Sequence, residues 1–176
     1  HTAVIDDLSF DSEYEYRVRH LSGDVVVDEY GATFRTRLAP NDPSVFSFVA
    51  YGDSADIDDI DPFRNVQSRI SAVDPAFALL LGDNVYDSGT HSESDARFDA
   101  AINPEASAWN SGHIDYVGFG NHDVQTDGSE INYSAPIPVG GVTAPVSGPA
   151  GEPDEHNYSF DYGNVHFATF DTNRRS

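Results

Sequence analysis

The chain has no cysteine, no methionine and no lysine, and only one tryptophan among its 176 residues. Without cysteine it forms no disulfide and no thiolate metal site, so a metal would have to be held by carboxylate, phenolate, amide or imidazole groups. Without methionine it has no start residue, and its first residues already read as a strand. The chain is therefore expected to be a fragment with no targeting segment in view. Without lysine every one of the nine bases is an arginine, against 30 acidic residues, for a net charge of -21. A surface this acidic repels nucleic-acid backbones, which removes nucleic acid from the expected partners. Adaptation to high salt, which screens self-repulsion, is the first explanation for the acidity, and calcium binding is the second. No run approaches the roughly 18–20 apolar residues that a membrane helix needs. No membrane segment is expected in this chain.

Residues 1–37 alternate as half-buried strands do, most clearly in Glu13-Tyr14-Glu15-Tyr16-Arg17-Val18-Arg19. Ser22-Gly23-Asp24 supplies a turn, and Val25-Val26-Val27 and Thr33-Phe34-Arg35-Thr36 read as the strands that follow. The proline-bracketed residues 38–44 form a linker, which places a domain boundary there. Beyond it, in residues 45–176, strands alternate with helical stretches. Strands are expected over 45–51, 76–81 and 114–119, and helices over 61–72 and 93–102. Asp61 and Ser92 are read as the N-caps, and Pro62 as the first helical residue. The run 76–81 has the pattern of a strand buried on both faces, although a buried helix segment reads similarly. Residues 127–153 form one long glycine-, proline- and serine-rich loop, and 157–171 a hairpin turning at Gly163-Asn164. The order of elements is that of an α/β domain with crossover connections.

Each of the three expected parallel strands ends in a polar cluster: Gly52-Asp53-Ser54, Gly82-Asp83-Asn84-Val85-Tyr86 and Gly120-Asn121-His122-Asp123. In open α/β sheets ligands bind beyond the carboxyl ends of the strands, so three such ends can converge on one site. Asp83 and Tyr86 lie three apart in a turn, which brings carboxylate and phenol to one point. Hard anionic oxygens stabilise a trivalent or strongly Lewis-acidic ion, while an amide and imidazoles suit a divalent one.

These clusters resemble the first three blocks of the calcineurin-like metallophosphoesterases, and the tyrosine in the second block narrows the likeness to the purple acid phosphatases. The likeness covers about residues 45–171. It implies the amino-terminal half of a metallophosphoesterase α/β sandwich. Asp53 would bind a first metal, Asp83 would bridge two, Tyr86 would bind the first as phenolate and Asn121 would bind the second. His122 would assist the leaving group. The implied ions are Fe3+ at the tyrosinate, with Fe2+, Zn2+ or Mn2+ beside it. The implied reaction is hydrolysis of a small phosphate monoester by metal-bound hydroxide, in a secreted or cell-surface protein. The run Leu81-Gly82-Asp83-Asn84-Val85-Tyr86-Asp87-Ser88-Gly89, followed by Arg97-Phe98, is similar to the small, mammalian-type members. Ser54-Ala55 departs from the bulky residue and glycine usual there. The later histidine blocks of the family are not reached, so this chain alone is expected to be inactive. In front, Leu8 and Tyr14 resemble the tyrosine corner of fibronectin type III sandwiches, with Phe10 where proline is common. That implies the closing strands of such a sandwich over 1–37.

Two other readings compete with a phosphomonoesterase: a phosphodiesterase or nucleotidase on the same scaffold, and a calcium-stabilised surface or adhesion module. Singly, Asp53 and Asp83 read as capping or turn residues, and Tyr86 as a partly buried aromatic. His166 reads as a hydrogen-bonded core residue, and His91, His113 and His156 as solvated. Trp109, Tyr116 and Phe119 read as core aromatics. The run from Asp56 to Asp61 lacks the glycine and closing glutamate of an EF-hand loop and reads as a solvated acidic entrance to the next helix.

Overall fold

A computed structural model describes residues 5–56, 58–125 and 158–173. They form a mixed α/β structure of seven strands and three helices. Strands β1 (Glu13–Ser22) and β2 (Val25–Arg35) make an antiparallel ribbon, with Tyr14 opposite Phe34 and Val18 opposite Tyr30. β2 is one continuous strand where the sequence suggested two. Its intervening residues Asp28–Tyr30 pair across to β1, so the ladder overrides their polarity.

A three-stranded parallel sheet follows, built from β3 (Phe48–Tyr51), β4 (Phe77–Leu81) and β5 (Ile114–Gly118) in that spatial order. The crossovers carry helices α1 (Asp61–Val73), α2 (His91–Phe98) and α3 (Pro104–Asn110). The described chain closes with the antiparallel hairpin of β6 (Tyr158–Tyr162) and β7 (Val165–Thr169).

The period-two alternation of the central strands gives each sheet face its own cover. On one face Phe77, Leu79 and Tyr116 pack against Tyr158, Phe160, Tyr162 and Phe167 of the hairpin. On the other, Ala78 and the partly buried Val49 and Tyr51 pack against Ile70 of α1 and Trp109 of α3. Phe77 is fully buried, and six aromatic rings have centroids within 6.1 Å of its own.

Several local expectations are corrected. Asp61 is the first residue of α1 and Ile60 precedes it as N-cap without a side-chain bond. The cap of α2 is Thr90 rather than Ser92, because Glu93 three residues on completes a capping box. That helix stops at Phe98, and Asn103-Pro104 starts another, the Asn103 side chain accepting from the Ala106 N–H. His166 is exposed and meets Asp161 at 2.7 Å, so it is no core residue. His113 is half-buried, stacked on Trp109 at 3.7 Å and 3.3 Å from Asp74. The loop 127–153 lies outside the described residues, as do His156 and the side chain of His91.

Candidate functional site

The carboxyl ends of β3, β4 and β5 emerge on one side because the strands are parallel and adjacent. Each ends in a glycine for a steric reason. A Cβ on Gly52 would stand 2.8 Å from the Gly82 carbonyl oxygen, and one on Gly82 would stand 2.7 Å from the Gly120 nitrogen. A Cβ on Gly120 would fall on the carboxylate and amide of Asp83. Three backbones are thus stacked more closely than any other residue permits. The loops are also cross-bonded. Asp53 N–H donates to the Gly82 carbonyl at 3.2 Å, Ser54 N–H to that of Asp83 at 3.0 Å, and Tyr86 N–H to that of Ala55 at 3.2 Å.

This stacking brings three of the expected ligands together. The Tyr86 hydroxyl lies 2.5 Å from Asp53 Oδ1 and 3.2 Å from Asp83 Oδ2, so one phenol proton is shared between two carboxylates. Both aspartates adopt left-handed backbone, with φ of 51° and 50°. Asp tolerates that region, as Asp7 and Asp11 do in the amino-terminal loop and Asp74 does as the C-cap of α1, so the conformation alone marks no site. Burial, the bond to Asp53 and the negative charge of both carboxylates hold the Tyr86 hydroxyl well above the usual phenol range. In the metal-free chain it is therefore a neutral donor. A cation among these oxygens reverses that preference, because its charge stabilises the phenolate and relieves the carboxylate repulsion. The donor set of two carboxylates and a phenol consequently fits a hard, highly charged ion.

The β5 loop supplies the other two expected residues. His122 N–H donates to Asp83 Oδ1 at 2.9 Å, which orients that carboxylate from the side opposite Tyr86. The His122 ring lies 4.5 Å from the Tyr86 ring, and its Nδ1 is 2.5 Å from the Asp87 carbonyl oxygen. Gln125 Nε2 lies 3.1 Å from the same nitrogen, so Nδ1 is engaged on this side by a carbonyl and an amide, and Nε2 is the ring nitrogen outside both contacts. Asn121 is exposed, at the turn between Gly120 and His122. Among the described residues no group of three or more His, Asp or Glu side chains is gathered for a metal, so the cluster of Asp53 and Asp83 depends on its phenol, and the hydrogen bonds that join it do not include the Asn121 side chain.

Behind this layer stand residues that the sequence motifs did not single out for any role. Asn84 and Asp123 are fully buried, and Arg97 is 1% exposed. Glu93 accepts from the N–H groups of Asp87, Ser88 and Thr90 and so shapes the segment whose Asp87 carbonyl receives His122. Asn84 and Asp123 stand inside the strand-end clusters and Arg97 in the Arg97-Phe98 pair, but only Glu93 shows a local structural role in the sequence, through the Thr-x-x-Glu spacing of a capping box. Family models, curated proteins and solved structures give no match to this chain, so its site rests on its own geometry.

Proposed function

We propose that this chain contributes ligands to a dinuclear metal centre of purple acid phosphatase type, for the hydrolysis of phosphate monoesters. The observation that carries the reading is the convergence of Asp53, Asp83 and Tyr86 on one shared proton beyond the carboxyl ends of a parallel sheet. Asp53 and Tyr86 would hold Fe3+, Asp83 would bridge, and Asn121 would contribute to a second ion, Fe2+, Zn2+ or Mn2+. When bound, a pair of such ions activates water as a nucleophile and polarises phosphoryl oxygens. The remaining chemistry belongs to the chain. His122, with Nδ1 held at the Asp87 carbonyl, presents Nε2, which in the imidazolium form would give its proton to a departing alkoxide and leave the neutral ring. Its backbone N–H keeps Asp83 Oδ1 occupied and turns Oδ2 toward Tyr86.

Charge supports the same reading. Two carboxylates at one point in a chain of net charge -21 repel a phosphate ester unless cations reverse the local field. The fibronectin-like reading of residues 1–37 is supported by the Ser9 N–H, which donates to the Tyr14 hydroxyl oxygen at 2.9 Å, a bond from the phenol back to the upstream backbone.

The test is uptake of Fe3+ by the chain, read as a visible tyrosinate charge-transfer band together with metal content. The unaltered protein is expected to colour, Tyr86→Phe to lose the band, and Asp83→Asn to lose bound metal. A colourless protein, or calcium uptake indifferent to Asp83→Asn, would overturn the reading in favour of a calcium-stabilised module. Turnover of a monoester against a diester by the intact protein then separates a phosphomonoesterase from a phosphodiesterase or nucleotidase.

A further inference from the structure

We infer that Asn84, gripped between the buried charges of Arg97 and Asp123, is the positioning residue that sets the spacing of the three site loops. The inference rests on the reading of Asp53, Asp83 and Tyr86 as metal ligands, and it adds the frame that keeps them in place. Asn84 is fully buried, so it does not reach a ligand itself. Its backbone is bonded at both ends to a charge. Arg97 Nη1 donates to the Asn84 carbonyl at 2.8 Å, and Asp123 Oδ1 accepts from the Asn84 N–H at 2.8 Å.

Each charge also reaches a second loop. The same Arg97 nitrogen donates to Ser54 Oγ at 2.5 Å, which joins the β3 loop of Asp53 to the β4 loop of Asp83 and Tyr86. Asp123 Oδ2 accepts from Gly120 N–H at 2.8 Å and from Asn84 Nδ2 at 2.9 Å, which joins the β4 loop to the β5 loop of Asn121 and His122. The guanidinium is seated 4.6 Å above the Phe63 ring, so its plane is fixed as well as its charge. The Asn84 amide has one possible orientation. Nδ2 donates to the Gly118 carbonyl at 2.8 Å as well as to Asp123, and the flipped amide would set its oxygen against two acceptors. Its Oδ1 is left without a partner among the described residues, a cost the other bonds offset.

Burying a guanidinium and a carboxylate is costly unless every bond is made. Here both act on the backbone of one residue that lies between Asp83 and Tyr86, which is an arrangement for holding distances. A merely structural pair would protect the whole sheet evenly, whereas a two-sided clamp protects each junction separately.

Amide hydrogen exchange in the full chain distinguishes these cases without any metal. Arg97→Met is expected to speed exchange at Ser54 and Tyr86 by about tenfold or more, leaving Gly120 and strand β4 protected. Asp123→Asn is expected to do the reverse, freeing Gly120 and Val85 while Ser54 stays protected. Zn2+ titration should then show affinity falling about 10–100-fold in both variants, the usual effect of losing a group that orients ligands. If Arg97→Met fails to fold, Arg97→Lys, which keeps charge and stem but not the fork, carries the same test with a smaller expected change. Exchange that accelerates evenly over the sheet, or not at all, overturns the clamp. If the exchange pattern is selective but the unaltered chain takes up no Zn2+ and no Fe3+, the clamp stands and the phosphatase reading falls.

Discussion

The β1–β2 ribbon and the parallel sheet are both apolar on alternate residues, yet they use that pattern differently. In the ribbon Tyr14, Tyr16, Val18, Tyr30, Ala32 and Phe34 share one face, and the other carries Arg17, Arg19, Glu29 and Arg35 in exposed ion pairs. Cover fades along its length. Near the sheet the Tyr16 hydroxyl donates to the Ser111 carbonyl at 2.9 Å, but further out Val18 is 59% and Tyr30 51% exposed. In the parallel sheet both faces are covered over residues 77–80 of the central strand, and the loops and helix beyond it bury Arg97, Asn84 and Asp123. Alternation therefore specifies which residues share a face, while burial depends on what the rest of the chain lays over them.

The largest expected effect lies at the centre of the sheet. Phe77→Ala should cost about 3–5 kcal/mol of stability in urea unfolding, from lost transfer free energy and the cavity left among its aromatic neighbours. A loss below about 1 kcal/mol would mean that the sheet is no better packed than the ribbon. An intermediate effect is expected where a charge is built into a site loop. Burial raises the Glu93 carboxyl, but the hydrogen bonds from Thr90, Asp87 and Ser88 outweigh it and hold the group below the usual glutamate range. With a depressed native value, its stabilisation is present above the ordinary glutamate range and is lost as pH falls through the native value. Glu93→Gln should thus cost about 1–2 kcal/mol at pH 7 and progressively less in acid. Thermal melts of both proteins from pH 7 downward check this, and a gap that stays constant would show that the charge is not what shapes the 87–90 segment. The smallest effect belongs to the outer ribbon, where Val18→Ser should change stability by no more than about 0.5 kcal/mol. A larger loss there would reveal cover that the described residues do not provide.

Much of this was legible in the chain. The three strand-end clusters, the parallel order and the hairpin at Gly163-Asn164 follow from runs of apolar residues ended by glycine, and the structure brings Asp53, Asp83 and Tyr86 together as their spacing implies. Asn103-Pro104 could also have been read as a helix start, because an Asn cap before proline satisfies the first free N–H groups. His166 and His113 could not be placed. Whether a histidine in a strand faces core or solvent, or finds a tryptophan to lie on, depends on neighbours distant in sequence.

The sequence by itself determined which chemistry is possible: oxygen donors without thiolates, glycines where backbones must touch, and three polar turns at the ends of strands. Tertiary structure alone decided that Asn84, Arg97 and Asp123 meet behind the candidate site of Asp53, Asp83 and Tyr86. The reason is that local sequence encodes period and turn, whereas the partners of a buried charge come from separate loops that meet only when the sheet is assembled. The shared proton between Tyr86 and two aspartates has the same origin, since its acceptors lie 33 and three residues away and are joined by the pairing of β3 with β4.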